Sequence, residues 1–429
     1  MQAVASRGRV LILAPHSSYR IAPYVQAALD LGLEPFLVAT GAHSLLPGGV
    51  GGVRVDPTDE ARALARVLEG VGEGGACAAV ATDDPMVPLA AAVAERLGLP
   101  HNPPKAARLA RRKDLARARL AEAGLPVPGH RLLRLDRPLA PQIRGLAYPC
   151  VAKPVALAAS RGVIRADDPA ALEAACGRIA AILEGEPHLT PEERRLVLVE
   201  RFVPGPELAL EGLLTEGRLE MLALFDKPDP LEGPYFEETF YVTPSRLPAT
   251  AQRRIVEVVE AGCGAYGLRH GPVHAEVRWH AGEAWIIEIA ARTIGGECAR
   301  LLRFGTGHSL EALVLAHAAG RPLPLQRPDG AAGVLMLPTP QAGVLRRVEG
   351  VLEAERVPGV ESVTITLREG NHLVPLPEGA SYLGFVFARG PDPATVEAAL
   401  RAAHARLRIV VGPSWPLRPG QAGHGESIF

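Results

Sequence analysis

The sequence predicts a multidomain protein that combines α/β and α+β folds. Three observations predict it. At 429 residues the chain exceeds one ordinary core, which suggests two to four domains. Its first hundred residues alternate short apolar runs with helical patterns, the mark of a parallel sheet. Farther on, His274 to Gly296 shows the two-residue alternation of a β-hairpin, with carboxylates at the alternating positions.

Taken in order, Val10 to Ala14 is an apolar strand, followed by the polar turn Pro15-His16-Ser17-Ser18 and a helical pattern through Leu31. Glu34 to Ala39 is expected as a second strand, Thr58 to Leu68 as a helix, and Ala78 to Thr82 as a strand ending in Asp83-Asp84. Parallel sheets take ligands beyond the carboxyl ends of their strands, which makes His16, Ser17 and Asp83 candidates for substrate contact. Turn formation and capping are the alternative duties. No GxGxxG follows the first strand, so a dinucleotide fingerprint is absent.

Pro103-Pro104 breaks the chain before a basic helix, Ala106 to Ala123, that contains Arg111-Arg112-Lys113 and closes at Gly124. From Gly129 to Val203 a small α+β unit is expected. In it Lys153 ends the strand Tyr148 to Lys153, and Val155 to Gly162 forms a small-residue loop able to wrap N–H groups around phosphates. The helix Pro169 to Leu183 and the strand Leu196 to Glu200 complete the unit. Glu200 to Glu207 then reads as a hinge beside an apolar wall, or as a plain linker.

A hairpin is expected over Leu208 to Leu214 and Leu219 to Phe225, leading to Asp226-Lys227-Pro228. The proline-rich, acidic stretch Asp229 to Thr239 reads as a covering loop. A helix from Arg253 to Tyr266 precedes the His274 hairpin, and His308 to Gly320 is another. Beyond Pro322 and Pro324, strands are expected at Ala332 to Leu337, Gly343 to Val348, Val363 to Leu367 and Gly384 to Ala388. The helix Pro393 to Leu407 closes a region read as a packing and oligomerisation domain.

In the His274 hairpin, His274, Glu276 and Arg278 share one face, as do Glu288, Ala290 and Arg292 on the next strand. A three-residue loop, Ala281 to Glu283, is expected; it sets Glu276 opposite Glu288. A two-residue loop would shift the register by one and part them. Facing carboxylates repel, and a hard divalent cation such as Mg2+ would offset that. An exposed hairpin with solvated glutamates is the alternative.

Composition narrows the classes. A formal net charge of -1 carries no basic field for nucleic acid or membranes. No apolar run has the length of a membrane span, Met1 to Arg9 lacks the hydrophobic core of a signal peptide, and five cysteines without CxxC spacing argue against disulfides or zinc. A cytoplasmic protein is expected. Of 46 basic residues only four are lysines, at 105, 113, 153 and 227. Each is therefore a candidate for a compact ammonium that arginine cannot replace.

The ordered set Lys113, Lys153 before its loop, Glu200, Glu207, Lys227, Glu276, Glu288 and Arg292 resembles the ATP-grasp superfamily of carboxylate-amine ligases over residues 1 to 325. HAE at 274–276, EIAAR at 288–292, the segment Arg300 to Gly320 and the last hundred residues look most like bacterial L-amino acid ligases. The resemblance implies an N-terminal parallel α/β domain (1–102), a linker helix (103–128), a mobile lid (129–203), an ATP-grasp core (204–325) and a C-terminal α+β domain (326–429). It implies that Lys113 and Lys153 hold ATP phosphates under Ser160 to Gly162. Glu200 with the Phe202-Val203 backbone would take adenine, Glu207 the ribose, and Lys227 phosphate or substrate. Glu276 and Glu288 would bind two Mg2+ ions, with Mn2+ as a substitute. Ala290 replaces the asparagine that often supplies a further ligand. Arg292 would stabilise the acyl phosphate, His274 would line the acceptor pocket, and Gly295-Gly296 would bring backbone to the substrate.

The implied reaction joins an amino acid carboxylate to an amine with release of ADP and phosphate. A bicarbonate-activating carboxylase and an inactive nucleotide-binding regulator are the alternatives. Small-molecule substrates are the expected partners, and a homodimer is compatible with the chain.

Overall fold

The computed structural model describes residues 8–41, 50–186, 189–326, 329–379 and 381–414. The first seven residues of the stretch tested for a signal peptide lie outside them.

The N-terminal sheet is parallel, as its alternation requires, with Arg9–Ala14 between Glu34–Ala39 and Ala78–Ala81. Two of its elements escape the periodicity. Gly51–Arg54 is a glycine-led edge strand without an apolar run. The helix Val87–Arg96 buries every residue from Val87 to Ala94, so it has no polar face to betray its period.

The expected basic helix is two helices, Pro104–Arg111 and Lys113–Glu122. Arg112 is extended between them, and the Lys113 N–H donates to the Val155 carbonyl (2.9 Å) instead of to its own helix. This tie carries Lys113 to the site.

The unit expected as a lid, called the lid below, is a four-stranded antiparallel sheet, ordered His130–Arg134, Leu196–Arg201, Cys150–Pro154, Ile164–Ala166. The helix Pro169–Glu184, capped by the Asp168 carboxylate on the Ala171 N–H, buries Leu172, Cys176 and Ile179 against it.

The largest sheet has eight strands, ordered Glu283–Ala290, Gly271–His280, Glu207–Thr215, Arg218–Asp226, Phe240–Thr243, Ala331–Leu337, Gly384–Gly390, Val360–Ile365. It is continuous across residue 325. The C-terminal region expected as a separate packing domain thus extends the sheet that carries Glu276, and its strand Ala331–Leu337 pairs along Phe240–Thr243. The helix Ala249–Tyr266 packs beside Glu283–Ala290, and Pro393–His404 covers the distal strands.

The hairpin departs from expectation at its turn. The loop has two residues, Ala281 (φ 52°) and Gly282 (φ 79°), and His280 pairs with Glu283. Successive positive φ values make the tight turn that matches the twist of a hairpin, and glycine carries its second position without strain. By register alone this turn would separate the two glutamates. A bulge inserts Ile287 opposite the Glu276/Val277 step, and Glu276 again faces Glu288. The pairing expected is present, by a different route.

A carboxylate-lined cavity as the candidate active site

A cavity of about 540 Å³ opens between the lid, the large sheet and the carboxyl end of Ala78–Ala81. Its size suits a small-molecule site. On the strand Gly271–His280, Val273, Ala275 and Val277 face the core, which turns His274, Glu276 and Arg278 to the cavity. Antiparallel pairing sets Glu211 beside His274 and Glu207 beside Arg278, so an acidic row runs along this face.

The bulge at Ile287 is held by a cation. Arg117, 3% exposed, donates to the Ile286 carbonyl and, at 2.5 Å, to the Ile287 carbonyl. Its Nε lies 2.5 Å from Glu200 Oε1, and Glu200 Oε2 lies 2.6 Å from Lys153 Nζ. Burial alone would raise the Glu200 carboxyl, but Arg117 and Lys153 outweigh it and hold the group at about 2. Burial pulls Lys153 below the usual lysine range, with Glu200 acting against it. The Glu200 side chain is therefore a brace between the bulge and Lys153.

Other expected residues divide clearly. Lys113, Lys153, Ser160, Glu200, Phe202, Val203, Glu207, His274, Glu276, Glu288, Arg292, Gly295, Gly296 and Asp83 all border the cavity. His16 does not; it bonds Thr40 (3.2 Å) beside a second depression at the ends of the first three strands. Gly162 is also absent from the lining, and its N–H is spent on the Pro377 carbonyl (2.9 Å). The Phe202 N–H likewise donates to Pro149 (3.0 Å), and the Val203 carbonyl accepts from Arg278 (2.9 Å). Lys227 lies behind the wall, its ammonium bonded to Glu238, 2.8 Å from Glu207 and 3.4 Å from Glu276. Glu207, expected at a ribose, is held by both Lys227 and Arg278 (2.9 Å).

Two sets of carboxylates border the cavity. Glu288 pairs with Lys113 (2.5 Å). Glu276, Glu207 and Glu238 bring ligand oxygens within 4.8 Å of one another around Lys227. Burial raises Glu238 to about 7 against the pull of Lys227, with Glu276 adding to the rise. Glu276 itself stays well below the usual range, because Lys227 and His274 outweigh its burial. Such a hard oxygen set suits Mg2+, which takes one or two carboxylates and completes its shell with phosphate and water. The Ala290 methyl, 2% exposed opposite His274, adds no ligand.

At the far end, Arg292 Nε meets Asp84 (2.9 Å), and Asp84 and Glu288 keep its charge fixed against burial. Glu211, wholly buried, accepts the Ile294 N–H (3.1 Å) and lies 3.3 Å from His274 Nδ1, which ties the loop after Arg292 to the sheet. Asp84, Arg117, Glu211 and Glu238 were not anticipated, and Arg278, placed on the carboxylate face by its spacing, was given no role. Arg117 is hidden among many arginines, and Glu238 sits in the stretch read only as a covering loop. Asp84 stood next to the residue chosen, and Glu211 lies at an alternate position of an apolar strand, which is a readable signal.

Residues 146–300 match the ATP-grasp domain and residues 335–412 the L-amino acid ligase C-terminal domain 2. The solved L-amino acid ligase of Bacillus licheniformis superposes with a TM-score of 0.81 at 28% identity, over 95% of this chain and 99% of that one. An uncharacterized protein of Sinorhizobium fredii is 26% identical over 98% of this chain and 86% of its own length. Alanine–anticapsin ligase of Bacillus subtilis is 29% identical over 47% of this chain, which spans 45% of that enzyme. The chain carries an ATP-grasp domain followed by an L-amino acid ligase C-terminal domain, and its relatives are ATP-dependent ligases. It is similar over nearly its whole length to a bacterial L-amino acid ligase.

Proposed function

We propose that this enzyme activates the carboxylate of one amino acid as an acyl phosphate and joins it to the amine of a second. The observation that carries this reading is one cavity bordered by Lys113, Lys153, Glu276, Glu288 and Arg292. A carboxylate is a poor electrophile. In the first step its oxygen bonds to the γ-phosphorus of ATP and the bond to ADP breaks. In the second, the amine nitrogen bonds to the acyl carbon, phosphate leaves and the amine loses a proton.

Both steps build charge on oxygens, so catalysis is mostly positioning and neutralisation. Lys113 and Lys153 would meet the phosphates as point charges, beneath the loop around Ser160. The Phe202-Val203 segment would line the base, and Glu207 the ribose side of the cavity. Glu276 and Glu288 would hold two Mg2+ ions with Glu238 nearby; bound there, Mg2+ supplies charge neutralisation for the β- and γ-phosphates. The Lys113–Glu288 and Lys227–Glu276 pairs keep these acids neutralised before nucleotide arrives. Arg292, anchored by Asp84, would face the acyl oxygens, while His274, Asp83, Gly295 and Gly296 shape the substrate end.

The test is phosphate release from ATP with pooled amino acids, with amide products read by mass spectrometry. Release that requires both a carboxylate and an amine, with one new amide per phosphate, supports the ligase. Release driven by bicarbonate, or nucleotide binding without turnover, overturns it.

A further inference from the structure

We propose that the C-terminal region latches the lid, with Arg178 and Glu378 acting as positioning residues for the loop that covers the nucleotide phosphates. After His372–Leu373, residues 374–379 reach the lid at Pro377 and Glu378. There the Pro377 carbonyl accepts the Gly162 N–H (2.9 Å), and the Glu378 carbonyl accepts Arg161 Nε (3.0 Å). The Glu378 carboxylate grips Arg178 at both oxygens, Nε at 2.5 Å and a terminal nitrogen at 2.8 Å. Such a two-point pair fixes orientation as well as distance.

Arg178 joins three parts of the chain. It rides on the lid helix Pro169–Glu184, holds Glu378 and donates to the Tyr235 hydroxyl, with its guanidinium 5.1 Å from the centre of that ring. Tyr235 belongs to the acidic, proline-rich stretch read from the sequence as a covering loop, and it bridges to Ile164 of the lid.

The loop held by these contacts is strained. Ala159 (φ 55°) and Ser160 (φ 54°) lack the freedom of glycine yet sit in the left-handed region, and Gly162 (φ 69°) follows. Residues keep such angles only where surrounding contacts impose them. Ala159 and Ser160 border the cavity, while the N–H groups of Arg161, Gly162 and Val163 are given to backbone carbonyls. Lys153 is the next-to-last residue of the strand Cys150–Pro154 that leads into this loop. The C-terminal region therefore sets the pose of the phosphate-covering loop from outside the lid, and the lid opens only when these bonds part. An acyl phosphate beneath a loosened loop meets water, which returns the free amino acid and phosphate without amide.

The coupling half of this proposal rests on the ligase reading; the nucleotide half does not. Glu378→Arg, Arg178→Glu and the double exchange are compared by stopped-flow release of a fluorescent ATP analogue with Mg2+, and by the ratio of phosphate released to amide formed. Each single variant is expected to speed release about two- to fivefold, the range an exposed ion pair supplies, and to raise the ratio, with an unchanged melting temperature. The double exchange is expected to recover part of both. Single variants that release nucleotide at the wild-type rate, or a double exchange no better than either single, overturn the latch. If no substrate yields amide, the ligase reading fails while the release rates still decide the latch.

Discussion

Lys153 shows at the scale of one residue what lysine scarcity signals. Its ammonium is buried against Glu200 at 2.6 Å, in space that suits a point charge and not a planar fork. Lys153→Arg keeps the charge yet is expected to raise the dissociation constant for ATP about tenfold or more, measured by calorimetry; near-wild-type affinity contradicts that. Glu288→Gln removes a charge from the proposed metal side of the cavity. Turnover is expected to fall on the order of 10²-fold or more while circular dichroism and melting stay unchanged. Activity within a factor of two would remove Glu288 from the metal site. Both residues were legible in the sequence, one by composition and one by alternation. His16 was misplaced because the end of a strand names a neighbourhood, and the parallel sheet has more than one such neighbourhood.

The hairpin bulge and its brace form the element on which the site turns. Ile287 restores the Glu276–Glu288 pairing that the two-residue turn would undo, and Arg117 satisfies the carbonyls the bulge exposes. Removing Arg117 leaves Glu200 underpaired and these carbonyls without a donor. Arg117→Met is expected to cost about 3–5 kcal/mol in urea unfolding, with a loss under 1 kcal/mol contradicting the brace. The pair also fixes a pH dependence. Glu200 titrates near 2 when folded and near 4.5 when unfolded, so its contribution is complete above about pH 4.5 and is lost as pH falls toward 2. The stability gap between the wild type and Glu200→Gln should therefore hold steady from pH 7 to about pH 5 and narrow below that toward pH 2; a gap as wide at pH 3 as at pH 7 would contradict the pairing. The bulge had left a trace in the sequence. Ala284, Ile286, Ile289 and Ala291 all reach the core, and the step of three between Ile286 and Ile289 marks the change of phase. Arg117 left none, because a buried arginine on a basic helix looks like its exposed neighbours.

At the scale of the whole molecule, one sheet runs from Glu283–Ala290 to Val360–Ile365 and carries the acidic row near one end and the C-terminal strands at the other. The C-terminal region thereby lends Met336, Thr366, Tyr382 and Phe385 to the cavity, as well as the latch on the lid. Periodicity placed those strands closely but was silent on which sheet they join, since strand pairing at long range leaves no local pattern. Among the described residues no helix is long and apolar enough to cross a membrane. A crystal structure with Mg2+ and a non-hydrolysable ATP analogue tests the central claim most directly. The triphosphate is expected between Lys113 and Lys153, with metal density on Glu276 and Glu288 and Arg292 beyond the terminal phosphate. Metal bound away from both glutamates, or phosphates out of reach of Lys153, would contradict it.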